Sequence, residues 1–365
     1  MGTKLIFFPL FSAFPHSVVE IRTAKRQNLL MPKESSFSTD VGAMVESEYE
    51  RSLSPKDFND FLGQKELLAP LKLMITACQQ RDEVLEHLLF TGQPGLGKTS
   101  LALALGNELQ RPLKIISGPA LNRAKDLVGI LSQLTAGSIL FIDEIHRMNI
   151  EIEEYLYGAM DRFQIEWTFD SGEHARLLKL DIQPFTLVGA TTREALLSPP
   201  FRSRFGHRLS FQPYDTDSIC QILLRSAKLL GVQLDEDAAL TLAKFSRGTP
   251  RIANRLLRRA RDLAQLKFDS TICIECCKQT LSMLNIDSNG LEDVDRKVLL
   301  ALANSDSERP LGLKNLSVAA NEEEDTLAEV VEPWLIRKGF MQRTPQGRIL
   351  TEAGRRALEL TEAND

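Results

Sequence analysis

Gly92-Gln93-Pro94-Gly95-Leu96-Gly97-Lys98-Thr99 carries the full pattern of a phosphate-binding loop, placed after a short apolar run and opening a helical stretch. Glycines let successive backbone N–H groups curl around a phosphate. A helix N-terminus adds its positive dipole end, and Lys98 supplies a point charge to β- and γ-phosphates. Thr99 offers a hydroxyl to Mg2+. Farther on, "ILFIDE" (Ile139–Glu144) gives four apolar residues, then Asp143, placed to organise the metal, and Glu144, placed to orient or deprotonate a water. Phe185–Thr192 ends in two threonines, and a hydroxyl there can orient that water or touch the γ-phosphate. The plainer reading of the pair is two β-favouring residues that end a strand.

Two further segments hold arginines in shaped positions. "LSPPFRSRFG" (Leu197–Gly206) fences Arg202 and Arg204 between a double proline and a glycine, a stiff corner with no local residue to pair with either guanidinium. In "SRGTPRIANRLLRRARD" (Ser246–Asp262), Thr249 is the expected cap and Pro250 the first helical residue. Arg251 then sits in a first turn, where the helix dipole disfavours a cation, and a nucleotide phosphate would compensate it. Arg255, Arg258, Arg259 and Arg261 read as a solvated or DNA-facing surface.

These groups need a frame. "HLLFTG" (His87–Gly92), "KIIS" (Lys114–Ser117), "SILFIDE" (Ser138–Glu144) and "FTLVGATT" (Phe185–Thr192) read as buried strands, with "LLAPLKLMITACQQR" a helix before the first and "KTSLALALGNELQ" a helix after it. Apolar strands alternating with helices imply a parallel sheet covered on both faces. After Pro213 only helical patterns are expected up to residue 285, and "DSNG" (Asp287–Gly290) reads as a linker. The C-terminal part gives helices and then "FMQRTPQGRILT" (Phe340–Thr351), whose Thr-Pro-Gln-Gly turn predicts the β-hairpin wing of a winged-helix module. The expected organisation is a leader at 1–50, an α/β domain at 51–214, a small helical domain at 215–286 and a winged-helix domain at 287–365.

Composition is ordinary for a globular chain of 365 residues: 43% hydrophobic and 25% charged, with a net charge of −5. Such a balance excludes a protein coated in positive charge without excluding nucleic acid, because binding depends on where arginines cluster. Five cysteines without disulfide spacing imply free thiols in a reducing compartment, hence a cytoplasmic protein, and no apolar run reaches membrane-spanning length. "CIECC" (Cys273–Cys277) lacks a second ligand cluster and reads as thiols on a helix. His146 reads as a polar coupling residue. Residues 1–50 read as a disordered leader or a mis-assigned start, with Met31 and Met44 as alternative starts.

The P-loop, "FIDEIHR", "GATTR", "RSRFG", "RGTPRIANRLLRRARD" and "GFMQRTPQGR", in this order, resemble the RuvB family of AAA+ ATPases, bacterial motors of Holliday-junction branch migration. The resemblance runs from about Leu53 to Arg355. It implies an AAA+ P-loop domain with a parallel sheet, a helical lid domain and a C-terminal winged-helix DNA-binding domain, assembled as a hexamer. It implies ATP and Mg2+ as cofactors, with Gly92, Gly95, Gly97, Lys98, Thr99 and Ser100 on the triphosphate and Thr99 and Asp143 on the metal. Asp143 and Glu144 become the catalytic carboxylates and Thr192 the γ-phosphate sensor. Leu53, Tyr214 and Arg251 become nucleotide contacts, and Asp161, Arg162 and Phe163 of "AMDRF" join them. Arg204 matches an arginine finger that enters the neighbouring subunit's site, with Arg202 as the competing candidate. The chain departs from the family at Ser54, where an arginine is usual, and at Arg162, where a second acid is usual.

Arg343 and Arg348 flank the wing turn, and with Arg337, Lys338, Arg355 and Arg356 they make a basic C-terminal surface. Both suit either a solvated basic hairpin or sequence-independent phosphate or minor-groove contacts, and the resemblance implies the latter, with duplex DNA at Holliday junctions. In "QIEWTFDSGEHARLLKLDI" (Gln164–Ile182), apolar residues alternate on both sides of the turn region Asp170–Glu173, predicting a two-stranded ribbon. The ribbon either packs on its own domain or presents an apolar face to a partner. The resemblance makes that partner RuvA, contacted by Trp167, Phe169, Leu178 and Leu180, with RuvC in the resolution complex. Two other readings compete: a clamp-loader-type AAA+ ATPase, which would end in a helical collar, and an ATP-switched winged-helix transcription regulator.

Overall fold

The computed structural model describes Glu50 and residues 52–169, 176–304 and 309–362; at 167–169, 176–178 and 360–362 it describes backbone alone. Glu50 apart, the expected leader lies outside the described residues, as does the turn region Asp170–Glu173. In chain order the first domain runs α1 (Lys65–Arg81), β1 (Leu88–Thr91), α2 (Lys98–Leu109), β2 (Leu113–Ser117), α3 (Ala124–Leu131), β3 (Ile139–Asp143) and α4 (Ile150–Arg162). A hairpin of β4 (Gln164–Phe169) and β5 (Arg176–Asp181) follows, then β6 (Thr186–Thr191) and β7 (His207–Ser210). Five strands form one parallel sheet in the order β2-β3-β6-β1-β7.

Alternation within each central strand sorts side chains to two cores. Leu88, Phe90, Ile139, Phe141, Val188 and Ala190 pack under α1 and α2, while Leu89, Leu140, Ile142 and Leu187 pack under α3 and α4. Each such side chain contributes about 1.5–3 kcal/mol on burial, so a central strand apolar on both faces is held from both sides. The expectation of a buried strand at Lys114–Ser117 is corrected: β2 is the sheet's edge, and Lys114, Ile115 and Ser117 are exposed.

The second domain packs α5 (Thr216–Leu229), α6 (Glu236–Phe245), α7 (Pro250–Lys267) and α8 (Ile274–Met283) around their own core. It is not wholly helical as expected, because β8 (Gln233–Leu234) and β9 (Thr271–Ile272) pair in parallel for two residues. Pro250 opens α7 as predicted, but Thr249 makes no side-chain cap bond. Its γ-methyl faces Gly95 instead, at 2.9 Å from where a β-carbon there would lie. Cys276 and Cys277 are fully buried in this core, and burial pushes the Cys277 thiol up to about 12, far from thiolate chemistry.

The third domain holds α9 (Asp293–Asn304), α10 (Leu313–Ala320) and a continuous helical segment in which a π turn (Leu327–Val331) separates Glu324–Thr326 from α11 (Glu332–Arg337). The predicted wing is present as antiparallel β10 (Met341–Thr344) and β11 (Gly347–Leu350), before α12 (Glu352–Glu362).

Arg247 joins the second and third domains. Its guanidinium, almost wholly buried, donates to both Asp295 oxygens at 2.5 and 3.3 Å and to the Gly290 carbonyl at 3.2 Å, and lies over the Trp334 ring. Removing one partner of a buried ion pair leaves an uncompensated charge and costs about 3–5 kcal/mol. Asp295→Ala is expected near the lower end, because Glu292 remains 3.4 Å from Arg247. Thermal unfolding checks this, and an unchanged melting temperature would refute the pair's contribution.

Candidate active site

A cleft of about 810 Å³ opens where the loop after β1 meets β2, β3, α2, α5 and α7. Its floor is the loop between β1 and α2, where Gly92, Gly95 and Gly97 have φ of 145°, 77° and 98°. That conformation costs glycine nothing and L side chains a good deal. Crowding adds to this at Gly95, where a β-carbon would fall 2.9 Å from Arg251 and Thr249 of the second domain. Lys98 is only 7% exposed and donates to the carbonyls of Gly92 and Gln93 at 2.8 and 2.9 Å. Burial lowers its pKa, and the nearby Asp143 and Glu144 carboxylates oppose that shift.

Strand β3 delivers the carboxylates as predicted. The Thr99 hydroxyl lies 3.5 Å from Asp143 Oδ2, and Asp143 Oδ1 accepts the Glu144 N–H at 3.0 Å. Glu144 has φ of 49°, an uncommon left-handed conformation, and its Oε2 is buried without a hydrogen bond. His146 Nδ1 comes within 3.3 Å of that oxygen but lies 2.9 Å from Thr191 Oγ1, which is its hydrogen-bond partner. Burial first, and then Asp143, raises the Glu144 pKa. A carboxylate oxygen buried without a hydrogen bond, in a cleft shared with Lys98 and Thr99, suits a proton acceptor waiting for a substrate.

The backbone behind Glu144 is tight. A β-carbon on Gly118, which follows β2, would lie 2.4 Å from the Glu144 carbonyl oxygen. Gly118→Ala is therefore expected to shift the Glu144 main chain. Misplacement of a catalytic group by about 1 Å can cost on the order of 100-fold in rate, so kcat should fall at least about tenfold with nucleotide affinity little changed. Steady-state ATPase rates with a nucleotide titration check it.

The two threonines of β6 are not equivalent. Thr191 is fully buried and already engaged by His146 and by the N–H of Arg193 at 2.9 Å. Thr192 Oγ1 is buried without a partner. It does not belong to the cleft wall, which Asp143 and Glu144 form on this side.

Around the mouth, Leu53, Ser54, Ser100, Tyr214 and Arg251 line the cleft. The Tyr214 hydroxyl donates to the Leu96 carbonyl at 3.3 Å, and burial raises its pKa. Ser54 donates to the Glu50 carbonyl at 3.0 Å and its oxygen lies 3.4 Å from that of Ser100. Arg251, expected on a phosphate, is paired with both Glu50 oxygens at 2.6 and 3.0 Å. Arg225 was missed by sequence reasoning. It reaches from α5 to the Leu53 and Ser54 carbonyls at 3.0 and 3.3 Å, and a single arginine on an amphipathic helix gives no spacing signal.

Other predicted nucleotide residues lie away from this cleft. Arg204 donates to Asp161 at 2.9 and 2.8 Å and to the Pro200 carbonyl at 2.6 Å, over the Tyr157 ring at 4.5 Å. The stiff corner therefore does have a partner for Arg204 within the chain, at a distance in sequence that local reading cannot see. Arg202 is the one with a buried Nε lacking a hydrogen bond. Arg162 is exposed at the end of α4, and Phe163 packs edge-on to Phe185.

In the wing, Arg343 and Arg348 stand directly opposite each other, an unfavourable placement for like charges. Glu332, fully buried, compensates both: Arg348 Nε lies 2.5 Å from its Oε1, and Arg343 contacts its Oε2. Arg343 keeps the more exposed side chain of the two. The ribbon forms with Trp167 opposite Leu178 and Phe169 opposite Arg176. Ile165 is buried against the first domain and Leu180 is half-buried, while the side chains of Trp167, Phe169 and Leu178 lie outside the described residues. Among the described residues no helix is long and apolar enough to cross a membrane.

Comparison with known proteins agrees along the chain. The model of the Holliday junction DNA helicase RuvB P-loop domain matches residues 53–211, that of the RuvB AAA lid domain residues 214–287, and that of the RuvB C-terminal winged helix domain residues 288–359. The Holliday junction branch migration complex subunit RuvB of Chlorobaculum tepidum is 47% identical over 307 residues, covering 84% of this chain and 89% of the relative. The subunit of the same name from Myxococcus xanthus is 46% identical over 319 residues, covering 87% and 93%. The solved structure of the Thermotoga maritima RuvB Holliday junction branch migration motor is 44% identical, with a TM-score of 0.78, covering 84% of this chain and 98% of that one.

Proposed function

The chain belongs to the RuvB family of AAA+ ATPases, the motors of Holliday junction branch migration, and on that premise we propose how its residues divide the work. It is an ATP-driven DNA motor of homologous recombination, built from an ATPase domain over 51–214, a lid over 215–286 and a DNA-binding head over 287–365. The observation that carries the assignment of roles is the Glu144 carboxyl, whose Oε2 is buried without a hydrogen bond, lining the cleft with Lys98, Thr99 and Asp143.

In this reading the phosphate loop from Gly92 to Ser100, through the backbone N–H groups of Gly95, Gly97, Lys98, Thr99 and Ser100, and the Lys98 ammonium bind the triphosphate. Lys98 gives up its contacts to the Gly92 and Gln93 carbonyls to do so. Leu53 and Tyr214 bound the base, and Arg225 positions the Leu53–Ser54 backbone. Thr99 and Asp143 would hold Mg2+, which when bound neutralises charge on the β- and γ-phosphates. Glu144 accepts the proton of the attacking water, Thr192 orients that water, and Arg251 exchanges Glu50 for phosphate. Arg204, which rests on Asp161, acts on the nucleotide of a neighbouring copy in a hexameric ring, with Asp161, Arg162 and Phe163 as further contacts to that nucleotide.

Arg343 and Arg348 contact the phosphates of duplex DNA at the junction, without reading sequence. The β4–β5 ribbon docks RuvA through Trp167, Phe169, Leu178 and Leu180, and RuvC joins in resolution. A basic wing in place of a helical collar favours a junction motor over a clamp loader. The test is ATP-dependent branch migration of a synthetic four-way junction with RuvA added. Strand products are expected with the wild type and none with Lys98→Ala; failure of the wild type under saturating ATP would overturn the reading, and sequence-specific binding to linear duplex would favour a regulator.

A further inference from the structure

Arg193 follows the candidate sensor Thr192, does not line the cleft, and pairs with the winged-helix domain. Its Nε lies 2.7 Å from Glu329 Oε1 and its terminal nitrogen 2.7 Å from Asp325 Oδ1. A half-buried guanidinium shared by two carboxylates fixes direction as well as charge. On the other side, the Arg193 N–H donates to Thr191 Oγ1, which hydrogen-bonds His146, whose ring lies 3.3 Å from the Glu144 carboxyl. Arg193 is thus linked to the Glu144 carboxyl by three polar contacts in series, through Thr191 and His146.

The acceptors sit on a telling element. Asp325 and Glu329 belong to the continuous helical segment Glu324–Arg337, and Glu329 lies in its π turn. π turns are rare, recur at functional sites, and add a residue that an α-helical register could shed. Leu327 and Val331 pin the turn in the third domain's core. Three residues beyond Glu329, the buried Glu332 holds Arg343 and Arg348 of the wing. One helical segment therefore holds Arg193, just beyond β6, through Asp325 and Glu329, and the wing arginines through Glu332.

We propose that Arg193, through Asp325 and Glu329, is the positioning residue that couples ATP hydrolysis to the DNA-binding wing, with the Glu324–Arg337 segment as the transmitting element. This rests on the motor reading above. It predicts that breaking the contact uncouples the two activities without abolishing either.

The experiment measures ATPase rate with and without duplex DNA, and DNA affinity, in the full-length wild type and in three variants. Asp325→Asn combined with Glu329→Gln keeps side-chain shape while removing charge. DNA stimulation of the ATPase is expected to fall at least about fivefold, with basal rate, KM for ATP and DNA affinity within about twofold. Arg193→Glu should lose stimulation too, and Arg193→Glu with Glu329→Arg should regain at least half of it. Undiminished stimulation in the neutral double variant, an equal loss of basal rate, or no recovery on charge exchange each overturns the coupling. A wild type whose ATPase ignores DNA overturns the motor reading itself, and the coupling with it.

Discussion

Arg204→Ala is expected to lower the ATPase rate of the assembled protein by about 10³-fold or more, the range that a transition-state arginine supplies in phosphoryl transfer. Nucleotide affinity should change far less, because the side chain stands outside its own chain's cleft. The resting contact with Asp161 does not oppose this role. That pair is partly exposed, and exposed ion pairs contribute roughly 0–1 kcal/mol, so exchange of Asp161 for a phosphate costs little. Mixing Arg204→Ala with Lys98→Ala protein should restore measurable ATPase, since the first retains an intact phosphate loop and the second an intact finger. The mixture's rate, plotted against mixing ratio, is the decisive measurement. Full-speed hydrolysis by a strictly monomeric preparation, indifferent to Arg204→Ala, would falsify the shared site.

Glu144→Gln should act on the same step from within the chain. Loss of a positioned general base costs about 10²–10⁴ in kcat, while ATP binding should persist, because the amide keeps the shape. The pH dependence has a definite sign. Burial and Asp143 raise the Glu144 pKa above the usual glutamate range. The ionised base is therefore lost from the free protein at a higher pH than an exposed glutamate would allow, and kcat/KM for ATP should rise with pH through that raised value and then level. The Gln variant's residual rate should lack this limb.

Stability moves the other way. A carboxyl whose folded pKa exceeds its unfolded value binds more protons in the folded state, so its ionisation disfavours folding as pH rises through the folded pKa, and the cost vanishes below the unfolded one. Glu144→Gln should leave the melting temperature at neutral pH unchanged or raised. A variant that lost both activity and stability would point to a structural role for the side chain.

The ion pairs of this fold separate what a linear reading can reach from what it cannot. Lys98, Thr99, Asp143 and Glu144 announce themselves because strand, turn and helix fix a few consecutive residues in one geometry. Arg225 on the Leu53 carbonyl, Asp161 on Arg204 and Glu332 between the wing arginines carry no such local signature. Each depends on which surfaces meet when separately folded layers pack. Even the correct assignment of Pro250 to the start of α7 did not disclose that Thr249 turns its methyl toward Gly95 rather than capping.

By itself the sequence determined the phosphate loop, the carboxylate strand, the order of sheet, helical domain and wing, and the family, all through patterns confined to short windows where backbone periodicity and glycine conformation decide the outcome. Tertiary structure alone decided that β2 is an edge, that Thr191 is engaged while Thr192 keeps a buried hydroxyl without a partner, and that Arg193 grips Asp325 and Glu329. The reason is physical: a buried charge or hydroxyl is paired only where close packing brings a partner within about 3 Å, and that partner's position along the chain is set by the global fold rather than by its neighbours.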